Sequence, residues 1–250
     1  VAIFIRSPVQ GYFDMQTRTE LTDEADTALR RIGRDLHLAV PNSIRLSGNT
    51  TMEFLQTRTG GRYVASRTGN VLDYASATDN TFSVLPGSML DTPLANEYVV
   101  IYNLGIPGAD AYATTPFENR ARITGATATS VTLASAFDFP LDSPGRRFQV
   151  VDTPVTYRCD LSAGTLTRYW GYAINATQPD PPSGSGVQSA LLAQGVKDVL
   201  DKDGKVLRPG CAFTYDSINE RLGLVTMTLS LTRNNETVTL YHEVHVSNIP

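Results

Sequence analysis

The reading of this chain turns on ELTDEADTALRRIGRDLHLAVPN, Glu20 to Asn42. Leu21, Ala25, Ala28, Leu29, Ile32, Leu36, Ala39 and Val40 recur at steps of three and four, which lays one apolar stripe along a helix. Glu20, Asp23, Glu24, Arg30, Arg31 and Arg34 fill the other faces, with Asp26 one turn ahead of Arg30 in favourable ion-pair spacing. Pro41-Asn42 stops the pattern, so a long amphipathic helix ends near Val40. Its start has two readings. Ser7-Pro8 supplies a good N-cap and first helical residue. If the helix runs from Val1 instead, Pro8 should kink it and Gly11 loosen it. The apolar run Val1 to Ile5 fits either a strand start or the tail of a longer apolar helix, and alone is far too short to span a bilayer.

Beyond Pro41 the periodicity changes to that of strands. SIRL, TMEFLQT, RYVAS, TFSVL, EYVVIYNL, RARIT, SVTLAS and RRFQVVD are strand candidates punctuated by Gly, Pro, Asn and Asp. In TPVTYRCDL the residues Val155, Tyr157, Cys159 and Leu161 share a face, and the Ser162-Ala163-Gly164 turn returns the chain as GTLTRYWGY. ATQPDPPSGSG, residues 176–186, has loop composition. Cys211, Phe213 and Tyr215 share a face of CAFTY. GLVTMTLSLTR turns at Asn234-Asn235 into TVTLYHEVHV, which places Val238, Leu240, His242, Val244 and Val246 together. The fold class is therefore α+β: one long N-terminal helix packed on a large antiparallel sheet.

The apolar fraction of 41% over 250 residues is enough for a substantial core. A nucleic-acid binder normally shows a basic balance, so a net charge of −4 puts that class at a disadvantage and no nucleic-acid partner is expected. No catalytic constellation stands out: there is no nucleophile elbow, phosphate loop or Cys-x-x-Cys pair. His242 and His245 lie three apart on a strand and point to opposite faces, so HEVH is not the helical zinc motif. KDVLDKDGKVL resembles a calcium loop only superficially. With Gly204 at the sixth position, Val199 and Gly210 occupy the first and twelfth, where carboxylates are needed. A β-hairpin tip over Asp201 to Lys205 is the better reading, with a loose calcium site at that tip as the alternative. Neither a metal nor an organic cofactor is expected.

A helix with an interrupted apolar lead, then a strand-rich head carrying one cysteine pair, is the layout of a type IV pilin. VAIFIRSPVQGYFDMQTRTELTDEADTALRRIGRDLHLAVPNSIRL resembles the section of a minor pilin that follows its membrane-buried segment. VTYRCDLSAGTLTRYWGYAI, CAFTYD and HEVHVSNIP are similar to minor pilins of the MshO kind, from the mannose-sensitive haemagglutinin pilus, a group related to J-type minor pseudopilins and W-type minor pilins. The resemblance implies three regions: residues 1–7 as the end of an apolar membrane helix, 8–40 as the amphipathic pilin helix, and 41–250 as the β-rich head. It implies a structural, non-enzymatic subunit that joins a tip complex and primes or caps filament assembly. The partners would be other minor pilins, the major pilin and the inner membrane, and the head would lie in the periplasm before joining the filament. An oxidising compartment would pair Cys159 with Cys211. Leu21, Ala25, Leu29, Ile32 and Leu36 would pack on the head, and Arg30, Arg31 and Arg34 would be candidate partner contacts. A second reading, a tip adhesin, would place a glycan or other ligand on Tyr169, Trp170 and Tyr172, which otherwise serve core packing and cross-strand pairing.

Overall fold

A computed structural model describes residues 2–65, 70–72, 79–215 and 222–250, with residues 2–10 described by backbone alone. The leading element is one helix, α1 (Ala2–Leu36). Pro8 lies inside it, so the start at Ser7-Pro8 is not the one adopted. The helix also stops four residues short of Val40. Val40 N–H donates to Leu55 O (2.8 Å) and Ala39 bridges Gln56, so the last two positions of the apolar stripe serve a sheet edge instead. Pro41 follows at once and cannot continue a helix.

Fourteen strands follow among the described residues: β1 (Arg45–Ser47), β2 (Thr51–Arg62), β3 (Thr81–Ser83), β4 (Tyr98–Val100), β5 (Arg120–Thr127), β6 (Ser130–Leu133), β7 (Arg147–Asp160), β8 (Thr165–Trp170), β9 (Gln188–Gln194), β10 (Val199–Leu200), β11 (Val206–Arg208), β12 (Cys211–Thr214), β13 (Leu224–Arg233) and β14 (Glu236–His245). RYVAS is not a separate strand: Arg62 ends β2, Tyr63 makes a single bridge to Val84, and Ser66 lies outside the described residues. RRFQVVD and TPVTYRCDL are one strand, β7, with Pro154 inside it. Proline is tolerated because the position coincides with a bulge and a change of partner. β7 pairs with β2 along one edge, with register shifts between Leu55 and Thr59. Its other edge pairs with β4 at Gln149 to Val151 and with β8 at Thr156 to Asp160, leaving Pro154 between the two ladders.

All pairings are antiparallel. The nine-stranded sheet runs β1-β2-β7-β4-β5-β6-β3, and β8 and β9 branch from β7. The three-stranded sheet β12-β13-β14 joins that branch edge to edge. Val196 bridges Leu231, Thr232 N–H donates to Gly195 O (2.8 Å), and Lys197 N–H donates to Ser230 O (3.2 Å). The two sheets thereby curl around α1, which touches β2, β9, β13 and β14.

Three apolar clusters result among the described residues. One joins the α1 stripe to Phe54, Tyr157, Cys159, Phe213, Met227 and Leu229. A second fills the lobe of β3 to β6 around Phe82, Ile123 and Phe148. A third ties Val40 and Leu55 to Tyr112 and Ile174. Asn234 and Asn235 both take left-handed φ (52° and 65°), which makes the β13–β14 turn the two-residue type that Asn favours.

KDVLDKDGKVL forms the hairpin β10–β11. Asp201 Oδ1 accepts N–H bonds from Asp203 (2.9 Å) and Lys205 (2.8 Å), so its carboxylate organises the turn.

Cys159 and Cys211 form a disulfide with a Cα–Cα separation of 6.2 Å, across 52 positions of sequence. It fastens β7 to β12, and hence the large sheet to the terminal one. Loop-closure entropy puts its contribution at about 2–4 kcal/mol. Reduction is expected to lower the urea midpoint by the equivalent amount, and Cys159→Ala/Cys211→Ala should match the reduced protein. Identical urea curves with and without reductant would show that the crosslink contributes nothing.

Candidate functional site

α1 carries two kinds of surface. Over its C-terminal half Leu21, Ala25, Ala28, Leu29, Ile32 and Leu36 are each no more than 3% exposed. Ahead of Thr17 the surface opens: Tyr12, Phe13 and Met15 are 68%, 59% and 73% exposed, with the two rings edge to face. Residues 2–16 rise roughly 22 Å at 1.5 Å per residue. Arg18 pairs with Glu236 (2.9 Å) and Glu24 with Arg233 (2.7 Å), while Glu24 Oε1 accepts the Gln194 N–H (2.7 Å). These bonds hold the helix to the β13–β14 turn and to β9.

The tightest attachment is at Asp35. Counting along the helix, Asp35 is three residues past Ile32 and seven past Ala28, so it falls on the buried side. Tyr157 and Arg168 are cross-strand partners on β7 and β8 and present their side chains together. Asp35 Oδ2 accepts both the Tyr157 hydroxyl and Arg168 Nε, each at 2.7 Å, and Arg31 approaches Oδ1 at 3.5 Å. The Asp35 and Arg168 side chains are each 10% exposed. Burial, then the neighbouring Asp35 carboxylate, pushes the Tyr157 phenol up. Arg168 also donates to Gln56 (3.3 Å) and lies 4.8 Å from the Trp170 ring centre.

The three arginines of the helix therefore separate. Arg31 turns toward Asp35. Arg30 pairs with Asp26 (2.7 Å) and, with Arg34, lines a groove of about 640 Å³ between α1 and β14. His37, His242 and His245 line the same groove, so all three histidines of the chain meet there. Alternation sends His242 and His245 to opposite faces of the strand, yet β14 is the outer strand of its sheet and both line the groove. Gly33 faces the strand, and a Cβ there would make ordinary contact with Val244 (3.4 Å) and His242 (3.7 Å). Among the described residues, no group of three or more His, Cys, Asp and Glu side chains could hold a metal ion.

The aromatic platform does not assemble as the adhesin reading requires. Tyr169 and Trp170 are half-buried on opposite faces of β8. Gly171, with φ of 79° and its Cα packed on the Gly186 carbonyl, ends the strand and turns the chain inward. Tyr172 is only 2% exposed, its hydroxyl donating to Glu53 (2.9 Å) beside Thr156. Burial raises its phenol further, with Glu53 the next cause. Glu53 is itself fully buried and held by Arg45 Nε (2.9 Å). Tyr172 is thus part of a buried polar network and not a ligand contact. Trp170 lines a second groove, of about 360 Å³, with Arg58, Asp152 and Arg168.

Sequence reasoning missed Asp35, Arg168 and the histidine groove. A single acid on an otherwise apolar stripe was the available signal for Asp35. Nothing local signals the groove, because its two walls are about two hundred residues apart. Among the described residues no helix is long and apolar enough to cross a membrane. Compared with protein-family models, curated proteins and solved structures, the chain matches none.

Proposed function

We propose that this chain is a structural subunit of a type IV pilus-like filament, a minor pilin or pseudopilin that helps to prime or cap assembly with other minor pilins and the major pilin. The observation that carries the reading is the divided surface of α1. Its second half is sealed into the head by the apolar stripe and the Asp35 network, while Tyr12, Phe13 and Met15 extend an aromatic, sulfur-bearing flank left exposed by the described part of the head. A lone helix of this length gains little stability in water and is stabilised by packing against other surfaces. Neighbouring subunit helices would provide that packing, and head contacts would select the partner. The disulfide supports a head that resides in an oxidising compartment, the periplasm before assembly and the filament afterwards. In this reading the head is a scaffold, and its buried acids serve to fix elements rather than to turn over substrate.

The test is photo-crosslinking in cells, with the reactive group placed at Phe13 or, as a control, at exposed Leu90 on the far lobe. Adducts with other filament subunits should form at Phe13 and not at Leu90, and deleting the protein should reduce filament number. Unchanged filaments together with no protein adduct at Phe13 would overturn the proposal.

A further inference from the structure

We propose that the groove between α1 and β14 receives an extended, carboxylate-rich segment of a partner protein, added as a further strand on the edge of β14. Two independent features lead there. The first is the edge itself. β13 is covered on one side by residues 195–197 and β12, and on the other by β14, while among the described residues β14 pairs only with β13. The β13–β14 register runs through ten consecutive pairs without a bulge, and Val246 N–H donates to Gly223 O (2.7 Å) in the same register. In such a ladder alternate residues point to the partner, so Thr237, Thr239, Tyr241, Glu243 and His245 turn their N–H and C=O groups outward. Among the described residues none of these backbone groups makes a hydrogen bond. Long edges in monomeric proteins are normally blunted by proline, lysine or a bulge. β14 has none of them.

The second feature is charge. The chain as a whole is acidic, at −4, yet this groove gathers Arg30, Arg34, His37, His242 and His245 against Glu243 alone. Asp26 engages Arg30, and the Tyr241 hydroxyl engages Glu243 (2.6 Å). Arg34 and the three imidazoles make no side-chain hydrogen bond or ion pair among the described residues. A strand laid beside β14 would direct every second side chain toward α1, where these groups stand. Main-chain pairing would hold the segment and carboxylates at alternate positions would select it, as in other strand-addition complexes. Phosphate shares the charge but cannot use the open ladder, so an acidic peptide is the better fit. The inference stands apart from the filament reading: it needs only the groove and edge of the isolated protein.

The experiment uses the 250-residue protein and a ten-residue peptide of alternating Glu and Val, with its Lys-Val counterpart and inorganic phosphate as comparators. The Glu-Val peptide should bind with Kd tighter than about 1 mM and slow amide exchange at Tyr241, Glu243 and His245. Arg30→Glu/Arg34→Glu changes two exposed side chains and should weaken that binding about tenfold or more. Three results would each overturn the proposal: no binding of the Glu-Val peptide at about 1 mM, equal binding of the Lys-Val peptide, or amide protection reproduced by phosphate alone. Filament counts play no part in this outcome, so it fails or succeeds independently of the proposed assembly role.

Discussion

Ile32→Asp is expected to leave the protein unfolded, or more than about 4 kcal/mol less stable, while Ile32→Val costs only about 0.5–1.5 kcal/mol. Ile32 is completely buried in the cluster that joins α1 to both sheets. The substitution removes burial worth about 1.5–3 kcal/mol. It also places a carboxylate where no cation waits, since Arg30 and Arg34 point into the groove and Arg31 and Arg168 are committed to Asp35. Circular dichroism and urea titration of the two variants provide the check. A soluble Ile32→Asp protein with the parent's midpoint would mean that the stripe is not docked on the head.

Asp35→Ala should cost about 3–5 kcal/mol, because Arg168 would keep its charge in a site built for an ion pair and Tyr157 would lose its acceptor. The companion variant makes the origin of the effect measurable. Asp35→Leu/Arg168→Met removes both charges and should lie within about 2 kcal/mol of the parent, since buried pairs often exchange for apolar residues at little net cost. If Asp35→Ala shifts stability by less than about 1 kcal/mol, water screens the site and the network is not the lock described above.

The contrast between these two positions explains what the sequence made legible. The stripe holding Ile32 repeats with the period of the helix, and β13 and β14 alternate with the period of a strand, so local pattern sufficed for both. Patterns failed where tertiary pairing overrides them. Ala39 and Val40 continue the stripe yet pair with Gln56 and Leu55. Pro154 looks like a strand terminator and sits where β7 changes partners. β9, QSALLAQ, shows no clean alternation because a register shift against β8 interrupts it, and it escaped notice. The candidate sites were less legible than the fold. Arg30, Arg31 and Arg34 are equivalent as charges on a helix, and only the positions of Asp26, Asp35 and β14 give them different roles. Tyr172 differs from Trp170 because Gly171 turns the chain between them.

The disulfide has a mechanical consequence. A subunit pulled between its leading helix and its C-terminus passes tension through the covalent chain, and the Cys159–Cys211 bond offers that tension a short circuit. The span between the two cysteines, β8 to β11 with the long 176–186 loop, would otherwise pay out roughly 170 Å of extended chain. With the bond intact that length is unavailable, so β8 to β11, including β9 against α1, cannot be drawn out by load applied at the two ends. Oxidised protein should give a contour length shorter by this amount in single-molecule stretching, and reduction should restore it.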